Sequence, residues 1–72
     1  MNSTIDARGL SCPQPVILTM GKIREQGNGV IEILVDTDTS RENVSRAARS
    51  KGWEVDRIEP DGAGYRVVIR KE

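Results

Sequence analysis

The chain has one cysteine and no histidine in 72 residues. That cysteine, Cys12, stands in "DARGLSCPQPVIL", between a glycine-bearing loop and two prolines, Pro13 and Pro15. These residue types leave little conventional chemistry open. A dithiol redox centre needs a second thiol at Cys-x-x-Cys spacing, and the fourth position here is Pro15. Without histidine there is no Cys-His hydrolytic pair. One cysteine alone is a poor start for a zinc or iron site, so no metal and no other cofactor is expected. A single activated sulfur can still accept a group from one protein and hand it to another.

The prolines indicate how such a sulfur would be activated. Proline is favoured in the first turn of a helix, where its missing N–H would lack a partner anyway. The spacing predicts Cys12 as the N-cap, with Pro13 and Pro15 as the first and third helical residues. The free amides at that end then belong to Gln14 and Val16, beside the sulfur. Unpaired N–H groups and the positive end of the helix dipole favour an anion, whether a thiolate, a persulfide or its selenium analogue. Cysteines so placed fall from about 8.5 to between about 3.5 and 7.5, and a depressed pKa is expected for Cys12. The competing reading is a small buried hydrophobe, the commonest fate of a lone thiol. A proline-initiated helix start after a Gly-containing loop argues instead for an accessible sulfur.

The elements that must position this sulfur follow from periodicity. "STIDA" reads as a short strand with Ile5 and Ala7 on one side, broken at Arg8-Gly9. A helix is expected from about 13 to 26, with Val16, Met20 and Ile23 on its buried stripe, Thr19 and Ile17 at the margins, and Gly27 closing it. Gly21 weakens that helix, and Leu18 points away from the core. "NG" at Asn28-Gly29 turns the chain into "VIEILVD", the strongest strand, which should lie centrally with Ile31, Ile33 and Val35 on one face.

A capping box, Thr39 with Glu42, predicts a second helix to about Lys51, buried through Val44, Ala47 and Ala48. Two alternating segments, Trp53 to Glu59 and Tyr65 to Lys71, joined by "PDGAG", form a hairpin. The order is β-α-β-α-β-β. Right-handed crossovers put both helices on one face, so the fold class is α+β, a two-layer sandwich with a mixed four-stranded sheet. Residues 1–72 make a single domain without internal repeat or linker, and its core is small and aliphatic.

Composition excludes several functions. Eleven Lys+Arg balance eleven Asp+Glu, so no broad positive field exists to hold phosphate backbones. Trp53 and Tyr65 are the only aromatics, too few to stack bases, and Trp53 is expected at the edge of the core. "DGAG" has one residue between its glycines where a Gly-x-x-Gly nucleic-acid loop needs two, so direct nucleic-acid binding is not expected. No apolar run approaches the roughly 20 residues needed to span a bilayer, and no signal peptide opens the chain. No membrane role and a reducing cytoplasm are therefore expected.

Asp6, Gly9-Leu10 and Cys12-Pro13-x-Pro15 after a short strand resemble the motif D-x-x-G-L-x-C-P-x-P of the TusA/SirA/YedF family of small sulfur-carrier proteins. The likeness covers essentially the whole chain and includes the final "YRVVIRK" strand. It implies that Cys12 carries a persulfide, received from a cysteine desulfurase or rhodanese-like donor and passed to an acceptor thiol. Family destinations include tRNA thiolation, molybdenum-cofactor formation, sulfur oxidation and selenium handling. "VDTDTSRENVSRAARSKGWEV" further resembles YedF-type domains of selenium-metabolism proteins, which precede a DsrE-like domain. That likeness implies a DsrE-like acceptor and a chain excised from a longer two-domain protein.

Around the cysteine, Asp6 is expected to hold the loop by accepting backbone amides, and Arg8 to neutralise a bound persulfide. Gly9 shapes the loop, and Leu10 is expected to plug the core beneath it. Leu18, about one and a half turns from Cys12, is a candidate partner surface. Arg41, Arg46, Arg49, Lys22 and Arg24 read as solvated helix faces. A regulatory or protein-interaction domain, with Cys12 incidental, is the alternative to a carrier.

Overall fold

The computed structural model describes residues 2–10 and 13–72. Six elements follow in the order β1 (Asn2–Asp6), α1 (Gln14–Gln26), β2 (Gly29–Val35), α2 (Asp38–Ser50), β3 (Glu54–Asp61) and β4 (Gly64–Lys71). They form one sheet in the order β1-β2-β4-β3. β1 runs parallel to β2, and β4 lies antiparallel to both β2 and β3. β1-α1-β2 and β2-α2-β3 are thus both crossovers between parallel strands, the second spanning β4. Two crossovers of one hand place both helices on one face of the sheet, the two-layer α+β arrangement expected from the sequence.

The core is the layer between them. Ile31, Ile33 and Val35 of β2 and Val67 and Ile69 of β4 are fully buried, with Ile31 opposite Ile69 and Ile33 opposite Val67 in the ladder. Val44 and Ala48 of α2, Ile23 of α1, and Ala7 complete it. Trp53, expected at the edge, is a full member at 2% exposure, and its backbone N–H closes α2 by donating to Ala48 O at 3.0 Å.

Both helices depart from expectation in detail. The buried line of α1 is Pro15, Thr19 and Ile23, with Val16 and Met20 half-buried and Ile17 turned outward. Thr19 can lie at its centre because its hydroxyl donates to Pro15 O within the same helix, at 2.8 Å, so no polar atom is left unpaired. In α2 the N-cap is Thr37, two residues earlier than the capping box suggests. Thr37 is still extended as the chain leaves β2, and its Oγ1 accepts from Ser40 N–H at 3.0 Å. Glu42 instead meets Arg46 along the helix, at 3.4 Å. The buried stripe is Ser40, Val44, Ser45 and Ala48, with Ala47 half-buried.

The sheet face away from the helices is a charged lattice. Arg57, Arg66 and Arg70 engage Glu32, Glu54, Asp56, Glu59 and Asp61 at 2.9 to 4.0 Å. Val68, between Glu32 and Arg57 in the ladder, is only 2% exposed although it stands in this charged face. The helices carry the opposite balance: Lys22, Arg24, Arg41, Arg46 and Arg49 against Glu25, Asp38 and Glu42. A chain of zero net charge is therefore positive on one layer and negative on the other.

Candidate functional site

The described part of the loop between β1 and α1 is held by bonds within itself and by bonds to β2 and the residue after it. Ala7 extends the β1 pairing by donating its N–H to Leu34 O at 2.9 Å, and Leu10 N–H returns to Ala7 O at 3.4 Å. The third residue of this turn is Gly9 with φ of 78°, a conformation that a side chain would oppose. Asp6 holds the turn as expected: one carboxylate oxygen accepts from Arg8 N–H at 3.2 Å. The same carboxylate takes Arg8 Nε and Nη2, each at 2.9 Å. These bonds from Arg8, side chain first, lower the Asp6 pKa from 3.8 to about 2. The paired carboxylate in turn raises the Arg8 pKa. The Arg8 guanidinium is thus already answered by Asp6, which competes with its expected role of neutralising a persulfide.

Two residues of the loop differ from expectation. Leu10 does not plug the core but is 39% exposed, and Ala7, at 1%, fills the space beneath the loop. Cys12 itself lies outside the described residues, but the N-cap position expected for it belongs to Pro13. Helix α1 starts one residue later than predicted. Pro13, with φ −101° and ψ 21°, is the flanking residue, Gln14 the first helical residue and Pro15 the second. The reason is that Pro13 O already accepts the first helical bond, from Ile17 N–H at 3.0 Å.

The chemical consequence is unchanged. Gln14 and Val16 still have amides with no acceptor in the helix, and Pro15 has none to satisfy. The first turn holds no acidic residue, and no described side chain caps it. Among the described residues nothing blocks the positive end of the helix, whose first residue, Gln14, is two positions after Cys12 in the chain.

Apolar side chains surround this end. Ile17 is 55% exposed and Leu18 39%. They border a depression of about 320 Å³ with Ile5, Gly21, Lys22 and Glu25. On the other flank Pro13 and Val16 face Asn43, Arg46, Ala47 and Ser50 of α2 across a groove of about 410 Å³. Leu18 is thus exposed, as expected.

Sequence reasoning missed Asp36, in the β2-α2 connection. Its Oδ2 accepts from Gly9 N–H at 2.8 Å. Asp36 is 27 positions away from Gly9, and no local pattern signals such a bond.

Comparison with known proteins agrees with this geometry. The family described as sulfurtransferase TusA matches residues 3–71. A Methanocaldococcus jannaschii protein whose name describes a sulfur carrier is 32% identical over 68 residues, covering 93% of this chain and 91% of that one. The sulfur carrier protein TusA of Pseudomonas entomophila is 28% identical over 72 residues, covering 99% and 90%. A crystal structure of a SirA-like protein from Desulfitobacterium hafniense superposes with a TM-score of 0.86 at 38% identity, covering 94% of this chain and 95% of that one. With its strand order, its open helix end after Cys-Pro-x-Pro and these relatives, the chain belongs to the TusA family of sulfur carriers.

Proposed function

We propose that Cys12 is the carrying residue and that the cargo travels as a persulfide. The Cys12 thiolate attacks the outer sulfur of a donor protein's persulfide. A new S–S bond forms, the donor's S–S bond breaks, and the donor leaves as a thiolate. An acceptor thiolate then attacks the outer sulfur on Cys12, and Cys12 leaves as a thiolate. The sulfur stays at the sulfane level throughout, so no oxidant or reductant is consumed. A cysteine desulfurase or rhodanese-like protein suits the donor's part, and selenium could follow the same route.

The observation that carries this reading is the open N-terminus of α1. Amides of Gln14 and Val16, without helical acceptors and with no acidic side chain in the turn, favour the anionic sulfur at both ends of each transfer. Asp6 and Gly9 fix the loop, Pro13 and Pro15 set the helix start, and Leu10, Ile17 and Leu18 supply apolar contact surface for donor and acceptor. No helix among the described residues is long and apolar enough to cross a membrane.

The test is intact-mass spectrometry after incubation with a cysteine desulfurase and free cysteine. The expected result is a gain of one sulfur atom, reversed by a thiol reductant and absent in Cys12→Ser. No adduct with several competent donors, or an adduct retained in Cys12→Ser, would overturn the reading.

A further inference from the structure

We propose that Asp36 is a positioning residue for Cys12, a role that rests on the carrier reading and deepens it. The loop bearing Cys12 leaves the edge strand β1, which has one neighbour in the sheet. Among the described residues, the loop is tied to the fold beyond Ala7 by the bond from Gly9 N–H to Asp36 Oδ2, at 2.8 Å and three positions before Cys12.

The backbone that carries Asp36 is held from several sides. On one side, Val35 is fully buried and pairs with Tyr65 in the ladder. On the other, Thr37 caps α2, so the backbone around Asp36 is constrained from both ends. Beneath it lies Gly64, where an added Cβ would stand 2.1 Å from Val35 O and 2.7 Å from Asp36 Cα. The absence of a side chain at Gly64 lets β4 approach so closely that the Asp36 backbone has one place to be.

An acceptor on a constrained backbone thus reaches over to a turn whose own bonds are local, Arg8 to Asp6 and Leu10 to Ala7. The Asp36 bond fixes Gly9, three residues before Cys12 in the chain, relative to the N-terminus of α1. The carboxylate's negative charge acts against an anionic sulfur nearby, so its contribution must come from geometry.

That opposition supplies the experiment. Asp36→Asn and Asp36→Ala both remove the charge, but only asparagine retains an oxygen that accepts from Gly9 N–H. The readout is the rate constant for alkylation of Cys12 by iodoacetamide at neutral pH, alongside the unfolding midpoint. The Asn variant is expected to react about fivefold faster than the Ala variant, the factor corresponding to one net hydrogen bond, with similar midpoints. Equal rates would overturn the proposal. If the Ala variant does not fold, amide hydrogen exchange in the unmodified protein decides: Gly9 N–H is expected to be protected, and exchange at the intrinsic rate would overturn the proposal. A wild-type Cys12 that alkylates like a free cysteine counts against the carrier reading itself, whereas an activated Cys12 with equal Asn and Ala rates counts against Asp36 alone.

Discussion

At the scale of the residue, the pair Asp6–Arg8 couples loop order to protonation. The Asp6 carboxyl is held at about 2 in the fold, against 3.8 ordinarily, chiefly by hydrogen bonds from Arg8. A depressed folded pKa contributes stability above the unfolded value, and that contribution disappears as pH falls from 3.8 toward about 2. Both partners are more than half exposed, so the effect is small and screened by salt. The thermal midpoint of the wild type should therefore converge on that of Asp6→Asn as pH falls through this window. Parallel curves would show that the pair contributes nothing. Asp6, Gly9, Pro13 and Pro15 were legible in the sequence because each acts on its immediate neighbours. Asp36 was not, because it acts on Gly9 across 27 positions, and only the β1-β2 pairing brings the two together.

At the scale of the element, the start of α2 shows how a strand decides a helix. Thr37 and Thr39 are both good capping residues, and Thr39 has the acidic residue three positions on that a capping box needs. Extended backbone at Thr37, φ −134° and ψ 155°, settles the choice, because an N-cap must stand outside the helix while its carbonyl enters it. Arg41 N–H duly donates to Thr37 O at 3.0 Å. Thr37→Ala is expected to cost about 1 kcal/mol. Thr39→Ala, inside the helix, should be neutral or slightly stabilising. Urea unfolding of the two variants measures the difference, and equal losses would return the cap to Thr39. The elements themselves were legible from their periods of 2 and 3.6, but the centre of the α1 stripe was not. A threonine that satisfies its own hydroxyl counts as apolar in packing, and composition does not reveal this.

At the scale of the whole molecule, two glycines with opposite roles show what holds the layers in place. Gly64 opens β4 where its missing side chain admits the backbone of Val35 and Asp36, although "PDGAG" reads as loop throughout. Gly64→Ala should destabilise by at least about 1–3 kcal/mol, since a close-packed backbone must shift. Gly21 sits on the exposed side of α1 with nothing within 4 Å of an added Cβ. Gly21→Ala should stabilise by about 0.5–1 kcal/mol through helix propensity. Denaturant midpoints of opposite sign are the expected outcome, and two changes of the same sign would contradict this account. The α+β class and the placement of both helices were legible from element order and crossover handedness. The insertion of β4 between β2 and β3 rests on pairings between distant segments, which no local pattern contains.

The division of charge between the two layers gives the neutral chain a permanent dipole. In the field of a charged partner such a body is turned before it is drawn in. The torque acts within about one screening length, about 8 Å at physiological ionic strength, which is less than the 17 Å of the shortest dimension of the molecule. Orientation is therefore fixed only in the last step of an encounter. Added salt removes this alignment while leaving the apolar contacts around the loop almost unchanged, so ionic strength acts on how often a collision is productive rather than on how long a formed complex lasts.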